Sequence, residues 1–200
     1  MGADVDGVIE IRERGGRWGI ALGLPDCALG RDRHAWDGLF GFGGRLGVDR
    51  ALFDRRGCPD DVSDPVPSTY DELHHCHAYA TWAGAAAVDR DVPLGDGPDG
   101  NRIGVWRPGP DGELTLDDVP WTPIEVLDAS EEIFGEDLMP PEWPPGAEVP
   151  WNGAVYRPVT LTARLFAPPD GSGWGPVWTA MRELAAVHGD ENVRLVVWFG

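Results

Sequence analysis

The amino-acid sequence predicts an α+β (mixed α/β) fold, in which a few helices pack on a mixed, mostly antiparallel sheet. Three observations lead to this prediction. Apolar and polar residues alternate over residues 5–22, they alternate again over residues 103–116, and a strand–helix–strand pattern runs from residue 155 to residue 199. A chain of 200 residues is long enough for a substantial core. We therefore expect residues 1–200 to form a single domain.

A first hairpin is predicted by period-2 alternation on both sides of a glycine pair. Residues 5–11 alternate, Gly15-Gly16 supplies the turn, and residues 18–22 alternate again on the return strand. The face that carries the apolar residues of both strands is expected to lie on the core, and the acidic residues between them are expected to face solvent.

The middle of the chain predicts short elements separated by loops. Residues 36–42 predict a short helix or buried turn, and the prolines of residues 57–67 predict a loop. Residues 81–88 predict an Ala-rich helix whose first residue, a threonine, is its N-cap. A second hairpin is expected to pair residues 103–106 with residues 113–116 across a Pro/Gly-rich turn.

Residues 108–151 have a different composition and are predicted to form an acidic, Trp/Pro-rich insertion or lid. There is no basic residue between Arg107 and Arg157, while residues 111–148 contain twelve acidic ones. A short helix is expected over residues 130–138. The tryptophans of this segment favour an ordered insertion over a mobile lid, because disordered segments seldom contain so many aromatic residues.

The last part of the chain predicts a strand over residues 155–165, a helix that Gly175 opens and Gly189 ends, and a buried strand over residues 193–199. Strand, helix and strand in this length are typical of a crossover or split crossover unit. We therefore expect these two strands to lie in one mixed sheet with the helix packed on it.

The net charge of the chain indicates which classes of partner it is expected to bind. Its formal net charge is −18, from 34 acidic and 16 basic residues. Such a surface repels phosphate, so neither nucleic-acid binding nor binding to an anionic membrane is expected. A basic protein partner or a cation suits it better. Because the chain contains no lysine, chemistry that requires a lysine amine is excluded.

The cysteines and the lengths of the apolar segments indicate the cellular compartment of the protein. The three cysteines form no C-x-x-C pair, which argues against a disulfide framework or a thiolate zinc cluster. The first residues lack the basic and apolar regions of a signal peptide, and no run approaches the roughly 18 apolar residues of a spanning helix. We therefore expect a cytoplasmic protein.

The first candidate site combines two histidines with two aspartates. If residues 75–77 are extended, His75 and His77 point the same way, and Asp4 and Asp6 follow the same period on the first strand. Two imidazoles and one or two carboxylates suit a divalent metal such as zinc, manganese or iron. We predict Asp4, Asp6, His75 and His77 as metal ligands, with His75, His77 and Asp4 as catalytic residues. In the alternative, the aspartates lie on the solvent face of a strand and the histidines in a surface turn.

The second candidate site is the arginine-rich stretch of residues 31–56. Arginine binds phosphate and carboxylate groups through a planar fork of N–H donors. Arg33, Arg45 and Trp36 are predicted to contact a small anionic substrate. In the alternative, these arginines pair within the chain with the acidic residues 111–148.

Several short segments resemble those of a family of short bacterial and phage proteins of uncharacterised function. Members open Met-Gly-Cys-Asp-Ile-His, continue into a Trp-bearing hairpin and a loop ending in Asp-Val-Ser, and carry a later His-x-His segment. The matching segments here are residues 1–6, Trp18, residues 57–63, residues 75–78 before Thr81, and residues 189–199. The resemblance implies a metal or acid–base cluster, with Asp6 standing where the family has its first His. It implies no particular activity.

Two functions are consistent with these observations. The first is a metal-assisted hydrolase or related small-molecule enzyme, in which the ion activates a water molecule. The second is a non-catalytic acidic binding module, of an immunity or inhibitor type, which docks on a basic protein. The sequence contains no Walker lysine motif, no Gly-x-Ser-x-Gly and no His-Glu-x-x-His, so it does not predict the enzymes that those motifs define.

Overall fold

The computed structural model describes residues 5–24, 33–41, 50–53, 57–64, 75–168 and 173–199. Within these ranges the predicted α+β class is confirmed: the strands form two four-stranded sheets, and every strand pairing is antiparallel. Five α-helices accompany these sheets in the described ranges. None of these helices is long and apolar enough to cross a membrane.

The first sheet joins both ends of the described chain. Its strands are β1 (Val5–Arg12), β2 (Trp18–Gly23), β3 (His75–Thr81) and β8 (Val193–Phe199), in the spatial order β2-β1-β8-β3. The predicted hairpin is confirmed as β1 and β2, with Gly16 at a φ of 80° in the turn. A positive φ is easy for glycine, which explains the glycine pair.

One face of this sheet, the helix face, lies on the larger core. Helices α1 (Arg33–Phe40), α2 (Trp82–Ala87), α4 (Ala163–Phe166) and α5 (Gly175–His188) contribute to that core. Its indoles contact one another: the Trp36 and Trp174 rings meet edge-on with centroids 4.8 Å apart, and Trp174 stacks on Trp178 at 5.2 Å. Aromatic pairs of this kind add to the stability gained from burial alone.

Two helix boundaries follow the predicted capping signals. Thr81 caps α2, because its Oγ1 accepts a hydrogen bond from the Gly84 N–H at 3.1 Å. The helix α5 ends at Gly189, whose φ is 91°. That backbone conformation is strained for residues with a Cβ atom.

The second sheet is built from the middle of the chain. Its strands are β4 (Ile103–Pro108), β5 (Leu114–Asp118), β6 (Val149–Trp151) and β7 (Ala154–Pro158), in the order β5-β4-β7-β6. The helix α3 (Ile124–Phe134) packs on it and shares a separate apolar core with its strands. Residues 108–151 therefore contain two strands of this sheet, β5 and β6, and the helix α3 that packs on it.

Three local predictions are wrong. The strands predicted at residues 155–165 and 193–199 do not form a crossover unit, because β7 lies in the second sheet and β8 in the first. Residues 163–166 are helical as α4, so the strand is shorter than predicted. The helix expected over residues 130–138 is α3, which begins at Ile124 and ends at Phe134, since Gly135 adopts a left-handed conformation with a φ of 77°.

Candidate functional site on the outer face of the first sheet

The face of the first sheet opposite the helices, here called the outer face, carries two of the predicted site residues, Asp6 and His77. Alternation along the strands assigns residues to it, because side chains two apart share a face. The outer-face residues are Asp6, Val8 and Glu10 on β1, Arg194, Val196 and Trp198 on β8, and His77 and Tyr79 on β3. Val62, from the segment of residues 57–64, packs on the apolar residues in the middle of this face.

At one end of the outer face, Asp6 and His77 flank Trp198. Strand pairing aligns Asp6 with Trp198 on one side and His77 with Trp198 on the other. Neighbouring strands are about 4.8 Å apart, so the backbones of Asp6 and His77 are separated by about 10 Å across β8. Both residues are half-buried, and Trp198 is buried. An aspartate and a histidine that are far apart in the sequence are thus brought to one row of one face.

The other two predicted ligands are less fully described. His75 lies in β3 opposite Phe199, and the register shifts between His75 and His77, which marks a β-bulge. The side chain of His75 and the whole of Asp4 lie outside what the structure describes. Among the described residues, no group of three or more His, Cys, Asp or Glu side chains is arranged to hold a metal ion.

At the opposite end of the outer face, the structure contains a buried ion pair that the sequence did not predict. Glu10 and Arg194 are aligned on neighbouring strands, and Arg194 Nε donates to Glu10 Oε2 at 2.7 Å. Ser63 donates to Glu10 Oε1 from its backbone N–H, at 2.8 Å, and also from its Oγ. The Glu10 side chain is fully buried and that of Arg194 is 4% exposed.

Asp61 and two aromatic rings complete this cluster. Arg194 donates to Asp61 Oδ1 at 2.6 Å and to the Asp61 carbonyl at 3.1 Å, and Trp18 Nε1 donates to Asp61 Oδ2 at 2.9 Å. The guanidinium carbon of Arg194 lies 3.9 Å from the centroid of the Trp18 ring and 6.0 Å from that of Tyr79. The Arg194 hydrogen bond, helped by its positive charge, lowers the pKa of Asp61 despite some desolvation.

The hydrogen bonds and ion pairs of this cluster join the first sheet to residues 57–64. Both carboxylate oxygens of Glu10 accept charge-assisted hydrogen bonds, and Arg194 donates to two acidic residues. An ion pair satisfied in this way has little capacity left for proton transfer or ligand binding. The Glu10–Arg194 cluster therefore holds residues 57–64 on the outer face.

Two features of the sequence indicate this buried Glu10–Arg194 cluster. Arg194 interrupts a strand that is otherwise entirely apolar, and an arginine buried there requires a carboxylate. Asp61 and Ser63 belong to the Asp-Val-Ser segment on which the family resemblance partly rests. Glu10 was expected to face solvent, because alternation identifies the face of a strand but does not reveal a loop that covers it.

The predicted substrate-binding residues lie elsewhere. Trp36 is 1% exposed within the core of the helix face, where it packs against Trp174 and Phe40. Arg33 begins α1, but its side chain is not described, and Arg45 lies outside the described residues. Within the described part of the stretch 31–56, Arg50 pairs with Asp96 at 2.8 Å, outside the acidic segment 111–148.

Comparisons with known proteins add no assignment to this geometry. No protein-family model, no curated protein and no solved structure matches the chain. The resemblance to the short bacterial and phage proteins therefore stays a prediction.

Proposed function

We propose that the chain is a metal-assisted hydrolase or a related enzyme acting on a small anionic molecule. The observation that carries this proposal is the row in which Asp6 and His77 flank Trp198 on the outer face. Asp4 precedes Asp6 by two residues, so alternation along the first strand would extend the row by Asp4. On β3 the bulge between His75 and His77 interrupts this alternation. The proposed ligands are Asp4, Asp6, His75 and His77.

The chemistry of these donors supports the proposal. Imidazole nitrogens and carboxylate oxygens together bind zinc, manganese or iron, and a bound divalent ion lowers the pKa of a water molecule toward neutrality. The β-bulge between His75 and His77 is a second supporting feature, since bulges re-aim side chains and are frequent beside active sites. Arg33 begins α1, which packs on the helix face, so Arg45 alone is retained as a proposed contact of the anionic substrate on the outer face.

Elemental analysis of the purified protein tests this proposal. We expect near-stoichiometric zinc, manganese or iron in the wild type and its loss in an Asp6→Asn/His77→Ala double variant that keeps its circular dichroism spectrum. The matched control is an Asp117→Asn/Glu148→Gln variant, which alters two exposed carboxylates of the second sheet. Equal metal content in the two variants, or none in the wild type, would falsify the proposal.

A second candidate function, a non-catalytic acidic binding module, is favoured by the surface of the second sheet. All twelve acidic side chains of residues 111–148 are exposed, and two of them form ion pairs with arginine, Asp117 with Arg107 and Glu148 with Arg157. The segment contributes no positive charge of its own. A basic partner that docks there would be attracted by the whole segment.

Part of this negative charge lies on the helix α3 and destabilises it. Glu125, Asp128 and Glu132 are exposed and spaced three or four residues apart, and such like-charge pairs destabilise a helix by about 0.2–0.5 kcal/mol each. Glu132 also lies in the last turn, where a negative charge opposes the helix dipole. A positively charged partner would relieve both effects.

Comparison of two equally charged variants tests the binding module. One variant neutralises the proposed docking residues, and the other neutralises four exposed carboxylates outside the second sheet. The first set is Glu131, Glu132, Glu136 and Asp137, and the second is Asp60, Asp96, Asp190 and Glu191. We expect capture of a basic protein from cell extract to be lost in the first variant and retained in the second. Equal capture by both would show that only net charge is involved.

A further inference from the structure

A pocket of about 330 Å³ opens on the helix side of the first sheet, between α2 and α5. The charged residues of its lining are three arginines, Arg90, Arg164 and Arg182, and one aspartate, Asp89, although acidic residues outnumber basic ones in this chain by 34 to 16. Trp82 and Trp178 form apolar walls. This pocket and the Asp6–His77 row are on opposite faces of the sheet, so a function here does not depend on the metal proposal.

Arg90 is a buried cation without a counter-ion in the described part of the chain. The residue is 7% exposed, and the one side-chain hydrogen bond that it makes to the described residues is a long contact of 3.4 Å from Nη1 to the Ala167 carbonyl. Its guanidinium carbon lies 4.3 Å from the centroid of the Trp178 ring. A cation–π contact of this kind offsets only part of the cost of burying a charge, which is several kcal/mol.

The electrostatic environment of Arg90 differs from that of the other deeply buried arginine near a pocket, Arg102. Burial lowers the pKa of both side chains. The carboxylates of Asp99 and Asp118 raise the pKa of Arg102, whereas the neighbouring Arg164 lowers that of Arg90 further. Both stay charged at neutral pH. Arg90 therefore lacks the negative charge that accompanies Arg102.

A second unsatisfied group lines the same pocket. Trp178 is 3% exposed, and its Nε1–H is buried without an acceptor in the described part of the chain. A buried donor without a partner costs free energy. Of the other two arginines, Arg164 is held in a two-bond contact with Asp91, while the one ion pair of Arg182 with the described residues is a 3.6 Å contact with its exposed neighbour Glu183. Arg182 is thus free to turn toward a ligand.

We propose that this pocket binds the oxyanion group, phosphate or carboxylate, of a small molecule, and that this group is the counter-ion of Arg90. Arg182 contacts the same group from α5, and the indole of Trp82 packs against an apolar part of the ligand. A phosphate fits best, because it accepts several charge-assisted hydrogen bonds from guanidinium groups at once.

Calorimetric titration at constant ionic strength tests this site with four probes: phenyl phosphate, inorganic phosphate, benzoate and chloride. We expect saturable binding at one site per chain, tightest for phenyl phosphate and absent for chloride. If benzoate binds more tightly than phenyl phosphate, the preference for phosphate over carboxylate is wrong, although the oxyanion site stands. Absence of saturable binding for all three oxyanions overturns the proposal.

Substitutions of the lining arginines test whether phenyl phosphate binds in this pocket. Arg182→Gln is expected to weaken phenyl phosphate binding about tenfold, because a charge-assisted hydrogen bond is lost from an exposed side chain without disturbing the core. Arg90→Gln is expected to abolish binding, and if that variant fails to fold, Arg182→Gln still decides the question. The matched control is Arg107→Gln, an exposed arginine paired with Asp117 on the second sheet. Equal weakening by Arg107→Gln and Arg182→Gln contradicts the site.

Discussion

The two sheets use the same arginine–carboxylate chemistry in opposite environments. In the first sheet, Arg194 and Glu10 pair at 2.7 Å with side chains that are 4% and 0% exposed. In the second sheet, Arg157 and Glu148 also pair at 2.7 Å, but their side chains are 36% and 50% exposed. Distance alone does not distinguish the two pairs, whereas burial does.

This difference in burial indicates which ion pair the fold depends on and which one contributes little to stability. Water screens the pair in the second sheet, so either partner is solvated if the other is removed. The pair in the first sheet has no such alternative, and its hydrogen bonds to Ser63 and Asp61 are needed to satisfy the buried charges. The first sheet therefore depends on this buried cluster as well as on its apolar core, whereas the second sheet depends on its apolar core and little on its surface ion pair.

The largest effect is expected from Arg194→Leu. This change leaves the fully buried Glu10 carboxylate without its cation, which we expect to lower the free energy of unfolding by about 3–5 kcal/mol. Urea unfolding followed by circular dichroism measures the loss. A loss below about 1 kcal/mol would mean that residues 57–64 leave the cluster open to water.

A smaller effect is expected from Gly7→Ala on β1. A Cβ atom at Gly7 would lie 2.7 Å from the Val196 carbonyl oxygen and 2.6 Å from Leu24 Cδ1, so the neighbouring strand must shift. Overpacking of this kind costs about 1–3 kcal/mol. The matched variant in the second sheet is Gly104→Ala, whose nearest atoms are side-chain atoms at 3.1 and 3.2 Å. If thermal unfolding shows Gly104→Ala to be the more destabilising, the first sheet is not the more tightly constrained one.

The acid dependence of stability should also separate the two regions. Arg194 holds the pKa of Asp61 below its ordinary value, so this carboxylate stabilises the fold above the unfolded pKa of about 3.9 and stops doing so as the pH falls through the folded value. We expect Asp61→Asn to be less stable than the wild type at pH 7, with the difference shrinking toward pH 2. Because Asp61 is 57% exposed, the effect is partly screened. A difference that is constant with pH would contradict a role for its charge.

The smallest effect is expected from Arg157→Leu, the counterpart of Arg194→Leu in the second sheet. Its ion pair with Glu148 is exposed to solvent, and its contact with the half-buried Trp106 ring, 5.2 Å from the centroid, is partly exposed. We expect a loss of about 1 kcal/mol or less in the same urea experiment. A loss as large as that of Arg194→Leu would remove the contrast between the sheets.

Local signals in the sequence predicted local structure well. The turn at Gly16, the cap at Thr81 and the end of α5 at Gly189 each depend on the conformational preference of a single residue. The crossover prediction failed because a strand pattern does not specify which sheet the strand joins. That choice is made by pairing with distant residues, such as β1 with β8.

The candidate site was predictable in part for the same reason. The period of the strands indicated that Asp6 and His77 each point to one face, but only the register of both strands on β8 shows that the faces coincide. The pocket around Arg90 was not predicted at all, since its three arginines come from separate elements and no sequence spacing connects them.

Titration of chelator-treated protein with Co²⁺, followed by visible absorption, tests the proposed metal site most directly. Histidine and carboxylate ligands give bound Co²⁺ absorption bands that surface-associated ions lack. We expect one Co²⁺ per wild-type chain with such bands, and their disappearance in the Asp6→Asn/His77→Ala variant. The same bands and stoichiometry in both proteins would contradict a site built from Asp6 and His77.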